Sequence, residues 1–286
     1  MITGKTALLG IVGHPVEHSL SPAMHNAALT ELGLNWAYVP FPVAPEHLKK
    51  AVEGFEAIGL RGFNVTIPHK QAILSYLSEI SPLAQAVGAV NTVKRTSAGW
   101  SGTNTDVEGF IAPLRQQSWL GAVAVILGNG GAARAVVAGC GELGFDEIWV
   151  VGRDAGKLSQ FAASWSGSKT LPPKTLRTCV WADLKSLLPQ ASLLVNTTPI
   201  GMHPHTDATP LTASELDQTQ TALVYDLIYT PRPTQLLHQA QQRGLSIQDG
   251  LEMLVQQGAA ALTWWTERTA PTATMRQAAL RWLDAD

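Results

Sequence analysis

The stretch AVAVILGNGGAA, residues Ala122 to Ala133, decides the fold of this chain. Its first six residues form an unbroken apolar run, which is typical of a parallel strand covered on both faces. The glycines that follow permit a tight turn, and a helix is predicted from about Ala132 to Leu143. A turn of this kind lets backbone N–H groups approach a pyrophosphate at the positive end of a helix. The sequence therefore predicts a dinucleotide site built from Gly128, Asn129, Gly130, Gly131 and Ala132.

The next predicted strand, Glu147 to Val151, ends in residues that bear on the choice of dinucleotide. An acidic side chain at such a strand end suits the ribose of NAD, whereas an arginine suits the extra phosphate of NADP. Arg153 comes first and Lys157 adds a second cation, so the sequence favours NADP. Asp154 keeps NAD, or the use of both cofactors, open, and it is also a natural N-cap for the helix predicted from Gly156.

Short apolar runs alternate with helix-length amphipathic stretches on both sides of this turn, which is the pattern of α/β proteins. A polar segment, Thr96 to Thr105, is predicted to separate two such series, and the tail, Gly250 to Trp265 and Thr274 to Leu283, is predicted to be helical. The predicted strands are Ala7 to Val12, Trp36 to Phe41, Gly62 to Ile67, Ala89 to Val93, Ala122 to Leu127, Glu147 to Val151, Ser192 to Asn196 and Ala222 to Leu227. The predicted helices of the first series are Pro22 to Leu32, Pro45 to Ile58 and His69 to Leu77.

Composition narrows the class of protein. The 286 residues carry 20 Lys and Arg against 22 Asp and Glu, and this balance argues against a nucleic acid or an anionic membrane as the partner. A hydrophobic content of 45% is enough to bury a core, and no apolar run approaches the roughly 18 residues of a membrane span. Two cysteines without a CxxC motif fit a reducing cytoplasm. We expect a cytoplasmic globular protein.

Polar side chains collect at the predicted strand ends of the first series. Ser19 and Ser21 precede a helix whose N-terminus suits a carboxylate, and Lys70 opposes the dipole of the helix predicted from His69. Strand ends in α/β sheets converge on one crevice, which is where such sheets bind ligands. The other members of this set are Asn64, Thr66, Asn91, Thr92, Asn104 and Asp106. Capping alone also explains Ser21 and Asp106. His14 and His18 have metal-ligand spacing, but Pro15 disfavours a helix there, so no metal is expected.

Taken together, these motifs resemble those of the shikimate dehydrogenase family, whose members interconvert 3-dehydroshikimate and shikimate with NADP in aromatic amino-acid biosynthesis. The resemblance spans nearly the whole chain. The segments that carry it are His18 to Pro22 with His25-Asn26, Asn64 to Lys70, Gly88 to Thr92, Gly102 to Asp106, Gly128 to Ala132, Asn196 to Met202, Asp226 to Tyr229 and Gly250 to Gln257. Val107 departs from the family pattern, in which glycine is common after the aspartate.

The resemblance implies an α/β fold of two domains: an N-terminal substrate domain, residues 1–105, completed by C-terminal helices, residues 250–286, and a Rossmann-type NADP-binding domain, residues 106–249. It implies that Lys70 and Asp106 are the catalytic pair and that Ser19 and Ser21 bind the substrate carboxylate. The residues it assigns to the ring hydroxyls are Asn64, Thr66, Asn91 and Gln257, with Tyr229 nearby. Those it assigns to the nicotinamide side of the cofactor site are Thr197, Met202 and Gly250.

Three alternatives stay open at this point. A quinate/shikimate dehydrogenase of dual specificity is one, although two small serines favour shikimate. A noncatalytic NADP-binding regulator with the same fold is the second. A methylenetetrahydrofolate-type dehydrogenase is the third, but it lacks the Ser-Leu-Ser-Pro carboxylate site found at Ser19 to Pro22. We expect a monomer or a homodimer.

Overall fold

The computed structural model describes residues 2–165, 175–220 and 222–284. The chain divides into two compact units. Unit 1 comprises Met1–Gly109 and Val255–Asp286, and unit 2 comprises Phe110–Leu254. The sequence-based boundaries lie at 105/106 and 249/250, so the two sets of boundaries differ by four or five residues.

Unit 1 contains a six-stranded sheet in the order β2-β1-β3-β5-β6-β4. Its strands are β1 (Ala7–Gly13), β2 (Trp36–Pro42), β3 (Gly62–Val65), β4 (Glu79–Ile80), β5 (Thr92–Thr96) and β6 (Gly99–Thr103). Its helices are α1 (Ser21–Glu31), α2 (Leu48–Ala57), α3 (Pro82–Val87) and α10 (Thr272–Leu283), with α4 (Asp106–Ile111) and α9 (Leu251–Thr266) crossing the unit boundaries. Helix α10 packs on α1. In addition, Trp265 of α9 donates a 2.9 Å hydrogen bond to the Val93 carbonyl, which ties the C-terminal segment to the sheet.

The sheet of unit 1 is mixed, which corrects the prediction of parallel strands ending in Asn91-Thr92. Strand β5 runs antiparallel to β3 and β6, so Asn91 and Thr92 lie where β5 begins. The beginning of an antiparallel strand lies beside the end of its neighbour, and Asn64 of β3 pairs in register with Thr92. The polar strand termini therefore still meet at one edge.

Other local predictions for unit 1 were wrong. The segment from Thr96 to Thr105 is not a linker, because Gly99–Thr103 is β6 within the sheet. The helix predicted from His69 to Leu77 is a short 3-10 helix, Ala72–Tyr76. Ser21 is the first residue of α1 and does not cap it, since the N-cap is Leu20 with no side-chain cap. Asp106 likewise begins α4 and uses its carboxylate elsewhere.

Unit 2 contains a parallel sheet in the order β12-β11-β10-β7-β8-β9. The strands are β7 (Val123–Leu127), β8 (Glu147–Gly152), β9 (Leu176–Val180), β10 (Leu193–Asn196), β11 (Leu223–Asp226) and β12 (Ser246–Gln248). The helices are α5 (Gly131–Leu143), α6 (Ala155–Ala163), α7 (Ala213–Leu216) and α8 (Gln235–Gln242). The deciding stretch thus forms a central strand, a glycine turn and α5, as predicted. Strands β9 and β12 and helices α7 and α8 were not predicted.

Each unit has a core of its own. In unit 1, Phe63 and Trp100 pack edge to face with their ring centroids 5.2 Å apart, beneath Val52 and Phe55 of α2. In unit 2, Val125 and Leu127 of β7 are fully buried among aliphatic side chains of β10, β11 and α8. The burial of β7 explains its unbroken apolar run, since a central parallel strand is covered on both faces. Among the described residues, no helix has the length and apolarity needed to cross a membrane.

Candidate active site

A cluster of polar side chains lies at the edge of the unit 1 sheet where β3 ends and β5 begins. Backbone bonds hold its segments together: the Val65 amide donates to the Asn91 carbonyl, and the Val90 amide donates to the Lys70 carbonyl, each over 2.8 Å. These two bonds place the segment that carries Lys70 beside the start of β5. Six polar residues of the cluster are buried, namely Asn64, Asn91, Thr92, Asn104, Thr105 and Asp106.

Lys70 and Asp106 form an ion pair in this cluster. The Lys70 ammonium donates to Asp106 Oδ2 over 2.6 Å, with the two side chains 18% and 8% exposed. A partly buried pair of this kind is screened by solvent much less than a surface pair. Lys70 keeps further N–H donors for a ligand, because an ammonium carries three and Asp106 Oδ2 takes one.

Asn91 holds the other oxygen of the Asp106 carboxylate. The Thr105 backbone N–H donates to Asn91 Oδ1 over 2.7 Å, and this contact fixes which end of the amide is oxygen. Asn91 Nδ2 therefore points the other way and donates to Asp106 Oδ1 over 2.8 Å. The same nitrogen lies 3.4 Å from Gln257 Oε1 of α9. Asp106 thus has one oxygen held by an amide and one facing the ammonium.

Asn64 is joined to this network through Thr92. Its Nδ2 donates to the Asn91 carbonyl over 3.1 Å and to Thr92 Oγ1 over 3.0 Å. Its Oδ1 accepts a 2.7 Å bond from the Tyr38 hydroxyl. The structure therefore brings Asn64, Lys70, Asn91, Asp106 and Gln257 into one hydrogen-bonded group.

The two serines lie together at the start of α1, where the Ser21 amide donates to Ser19 Oγ over 3.3 Å. The His25 ring lies beneath them, with Nδ1 2.9 Å from the Ser21 carbonyl. Burial lowers the pKa of His25 to about 4, so the ring is neutral at pH 7 and Nδ1 carries the proton that the carbonyl accepts. Thr66, the remaining predicted member from unit 1, follows β3 and is partly exposed.

Sequence reasoning missed several members of this cluster as site residues. Tyr38 was read only as part of strand β2. A buried tyrosine needs a partner for its hydroxyl, and that requirement was the available signal. Thr105 was quoted in a motif without a role, yet its backbone N–H sets the orientation of Asn91.

The glycine turn of unit 2 leaves room for a ligand backbone. Gly128 has φ +103°, and a Cβ added there would lie 2.7 Å from Thr197 Oγ1, so the fold itself requires glycine. A Cβ added at Gly130 would meet no atom within 4 Å. Gly130 therefore faces open space directly before the N-terminus of α5, which is where a pyrophosphate binds in dinucleotide folds. The residues of the turn fit the phosphates of a dinucleotide.

The end of β8 carries the charges expected for a phosphate. Arg153 and Lys157 are both exposed. Asp154 is the N-cap of α6, since its Oδ1 accepts from the Lys157 amide over 2.9 Å. One carboxylate oxygen of Asp154, the residue that would hydrogen-bond the ribose of NAD, is therefore already used to cap α6.

The remaining predicted residues of unit 2 follow β10 and β11. The Thr197 hydroxyl donates to the Leu127 carbonyl over 2.7 Å, so it fixes the loop after β10 to the end of β7. Met202 is 46% exposed. A Cβ at Gly250 would lie 2.1 Å from the Leu227 carbonyl oxygen, so close backbone packing already requires glycine there. Tyr229 is partly buried, and this desolvation raises the pKa of its phenol.

Asp226, at the end of β11, is fully buried. The sequence did not predict that its carboxylate would hold neighbouring loops together. Its Oδ1 accepts from Asn196 Nδ2 over 3.0 Å and from the Ile228 amide over 3.1 Å, while its Oδ2 accepts from the Thr234 hydroxyl over 2.8 Å. Burial outweighs these bonds and raises its pKa from 3.8 to about 6. Asp226 therefore joins the loops that carry Thr197 and Tyr229.

Comparison with known proteins places these features in a family. Residues 11–93 match the family model described as the shikimate dehydrogenase substrate binding domain, and residues 250–280 match the shikimate 5'-dehydrogenase C-terminal domain. The chain is 59% identical to the shikimate dehydrogenase (NADP(+)) of Nostoc sp. (strain PCC 7120 / SAG 25.82 / UTEX 2576), over 99% of both chains.

Solved structures give the same result. One is a shikimate dehydrogenase in complex with NADP+, with a TM-score of 0.89 and 38% identity, covering 99% of this chain and 98% of that one. Another is the shikimate 5-dehydrogenase from Thermus thermophilus in complex with NADP(H) and shikimate, with a TM-score of 0.84 and 36% identity, covering 96% and 99% of the two chains. The relationship extends over nearly the full length at well above 30% identity, and the chain therefore belongs to the shikimate dehydrogenase family.

Proposed function

We propose that this chain catalyses the reversible, NADP-dependent reduction of 3-dehydroshikimate to shikimate in aromatic amino-acid biosynthesis. The observation that carries the proposal is the Lys70–Asp106 ion pair, held within a buried set of amides and hydroxyls. A reaction that creates a hydroxyl from a carbonyl needs a proton donor and a cation beside the developing oxyanion. An ammonium supplies both.

The hydrogen-bond geometry supports different roles for the two members of the pair. Lys70 is the proton donor to the alkoxide at C3 in the reduction, and it receives that proton in the reverse direction. Asp106 is the anchor, because Asn91 takes one of its oxygens and Lys70 takes the other. Asn91 thereby keeps the carboxylate turned toward the ammonium.

Polar groups of unit 1 recognise the substrate. Ser19 and Ser21, at the N-terminus of α1, bind the carboxylate, where backbone N–H groups and the helix dipole favour an anion. The ring hydroxyls are bound by Asn64, Thr66, Asn91 and Gln257, and the family resemblance assigns Tyr229 to the substrate as well. An analogue without the matching hydroxyls would leave buried amides unpaired, and this is the source of selectivity.

NADP fits the residues of unit 2. When bound, it supplies the hydride that is exchanged with C3 of the substrate. Gly128, Asn129, Gly130, Gly131 and Ala132 hold its pyrophosphate at the start of α5. Arg153 and Lys157 bind the 2′-phosphate, and the capping role of Asp154 supports NADP over NAD. Thr197, Met202 and Gly250 belong to the segments on the nicotinamide side.

The surroundings of the two serines favour shikimate over quinate as the substrate. Quinate carries an additional hydroxyl on the carbon that bears the carboxylate, so it needs more room beside the two serines. Ser21 is buried and in contact with His25, which argues for the flatter substrate. We propose shikimate as the preferred substrate, and comparison of kcat/KM for shikimate and quinate tests this preference. We further propose a cytoplasmic enzyme that is a monomer or a homodimer.

One assay tests the main proposal. Purified protein is mixed with shikimate and NADP, and formation of reduced nicotinamide is followed by its absorbance. The expected result is a steady increase in this absorbance that requires both shikimate and NADP. In the reverse assay, with 3-dehydroshikimate and NADPH, the absorbance should fall. Binding of both compounds without any absorbance change would instead support a noncatalytic regulator. Activity with a methylenetetrahydrofolate and not with shikimate would overturn the substrate assignment.

A further inference from the structure

Tyr38 of β2 is held rigidly beneath the polar cluster. It is 1% exposed, and its ring stacks on His25 with 4.2 Å between centroids and 10° between planes. Trp265 of α9 flanks the same ring, with centroids 6.1 Å apart. Burial raises the pKa of the phenol well above its ordinary value, so the hydroxyl keeps its proton at any working pH. Tyr38 therefore presents a fixed donor, and its oxygen also takes part in a hydrogen bond with the Ser21 side chain.

The direction of each hydrogen bond around Asn64 follows from its neighbours. The Asn91 carbonyl can only accept, so the Asn64 atom 3.1 Å from it must be the amide nitrogen. The other end of the amide is then Oδ1, and it faces the Tyr38 hydroxyl over 2.7 Å. Because Oδ1 can only accept, Tyr38 must donate. Both protons of Asn64 Nδ2 are used within the protein, by the Asn91 carbonyl and by Thr92 Oγ1.

We propose that Tyr38 is a positioning residue for substrate recognition. By donating to Asn64 Oδ1 it fixes that atom in place and leaves the second lone pair of the oxygen as an acceptor. Asn64 thus recognises a ring hydroxyl of the substrate that acts as donor, and it offers no donor of its own. The inference rests on the proposed function, since it assumes that Asn64 contacts the substrate.

A chain of hydrogen bonds, each with a defined donor and acceptor, continues from Asn64 to the catalytic pair. Thr92 Oγ1 accepts from Asn64 and donates to Asn91 Oδ1 over 3.0 Å, and Asn91 in turn donates to Asp106 Oδ1. Asn91 has a second, independent constraint in the Thr105 backbone N–H. Loss of the Tyr38 donor should therefore disturb Asn64 strongly and Asp106 only weakly. Consequently, the effect should fall mainly on KM and little on kcat.

The test is the variant Tyr38→Phe, which keeps the ring stacked on His25 and removes only the hydroxyl. We expect the KM for shikimate to rise about five- to tenfold, as for loss of one buried hydrogen bond, with kcat within threefold and the KM for NADP unchanged. The matched control is Tyr225→Phe in unit 2. Tyr225 is equally buried, and its hydroxyl has no hydrogen-bond partner among the described residues. The control should change neither parameter.

A double-mutant cycle separates positioning from a general loss of stability. Because the Tyr38 hydroxyl also hydrogen-bonds the Ser21 side chain, the cycle is run in a background that carries Ser21→Ala. If Tyr38 acts through Asn64, Tyr38→Phe should then have no further effect on KM once Asn64→Ala is also present. Additive effects of the two substitutions would overturn the proposal. So would a fall in kcat with KM unchanged. Should Asn64→Ala fail to fold, Asn64→Ser serves in its place.

A second measurement needs no substrate. The side-chain amide signals of Asn64 in a ¹⁵N-correlated NMR spectrum are identified by their disappearance in the Asn64 variant. We expect them to shift in Tyr38→Phe and not in Tyr225→Phe, and unchanged signals would contradict the inferred contact. A wild-type protein that is inactive on shikimate, but whose Asn64 signals respond as expected, would overturn the proposed function. It would leave the positioning of Asn64 by Tyr38 intact.

Discussion

Lys70 Nζ lies 2.6 Å from Asp106 Oδ2, although the two residues are 36 positions apart in the chain. Hydrogen bonds of the backbone hold the two residues in place, in addition to the attraction between their charges. The Lys70 carbonyl accepts from Val90, and Asn104 Oδ1 accepts from the Asp106 amide over 3.0 Å. The pair is thus assembled by strand β5, strand β6 and the turns at their ends.

Replacement of Lys70 tests its proposed role as proton donor. Lys70→Ala should lower kcat with shikimate by about 10²-fold or more, because both the donor and the cation beside the oxyanion are lost. The dissociation constant for NADP, measured by fluorescence titration, should stay within about twofold of the wild-type value. A change of that size is typical of a substitution that removes no contact to the ligand. A near-normal kcat would remove Lys70 from the chemistry.

Lys94 provides the matched control for that experiment. It also forms an ion pair in unit 1, with Glu267 at 2.9 Å, and it contacts the Trp264 carbonyl. Lys94→Ala removes the same charge and a salt bridge of similar length, although the carboxylate of that pair is exposed. We expect its kcat to remain close to that of the wild type.

The two glycines of the turn in unit 2 should respond differently to the same added methyl group. Gly130→Ala should lower the free energy of unfolding by only about 0.5–1 kcal/mol, the cost of alanine at the N-cap of α5, because its Cβ meets nothing within 4 Å and its φ of −87° suits alanine. NADP binding should nevertheless weaken, by roughly tenfold or more, since the methyl group would occupy the space into which the pyrophosphate approaches. Titration of NADP and thermal unfolding measure the two effects separately.

Gly128→Ala is the counterpart. Its φ of +103° and the contact of its added Cβ with Thr197 Oγ1 predict a loss of stability on the order of 2 kcal/mol. An unfolding curve that matches the wild type would show that the turn tolerates a side chain at that position. Equal NADP affinities in Gly130→Ala and wild-type protein would mean that the phosphates bind elsewhere.

Arg153→Ala tests the choice of cofactor. Loss of a hydrogen bond to a charged phosphate costs about 1.5–3 kcal/mol, so NADP affinity should fall by roughly 10- to 100-fold. NAD lacks that phosphate and should be affected far less. The control is Arg177→Ala, which removes an exposed arginine paired with Glu147 at the outer strand β9 of the same sheet. Equal losses of NADP and NAD in Arg153→Ala would contradict the phosphate role.

The deciding stretch was predictable because one local pattern specifies it: an apolar run, glycines with special conformations, and a small-residue helix. The mixed sheet of unit 1 was not, because strand direction depends on which segments pair across the sheet. Asn91 illustrates the difference. Its membership in the site followed from its polar character, but its orientation is set by the backbone of Thr105, 14 residues away. Tyr38 and Asp226 were missed for a related reason, because Asn64 and Asn196, with which they form hydrogen bonds, lie 26 and 30 residues away and a single residue type does not reveal such a partner.

Asp226 gives the stability of the protein a distinctive pH dependence. Its pKa is raised from 3.8 to about 6 by burial, so the native protein holds this proton at pH values where the unfolded chain has released it. Between these two values the native state binds more protons, and the free energy of unfolding therefore falls as pH rises. The loss contributed by Asp226 is complete above about pH 6 and amounts to about 3 kcal/mol.

Asp226→Asn removes the titration while keeping the shape of the side chain. Denaturant unfolding from pH 4 to pH 7 should show the wild type losing about 2–2.5 kcal/mol relative to Asp226→Asn across this range. The control is Asp207→Asn, which removes an exposed carboxylate and should keep a difference from the wild type within about 0.5 kcal/mol throughout. A difference between wild type and Asp226→Asn that stays constant with pH, or that favours the wild type as pH rises, would show that the native carboxyl is already ionised at pH 4. In that case the bonds from Asn196, Ile228 and Thr234 outweigh the cost of burial.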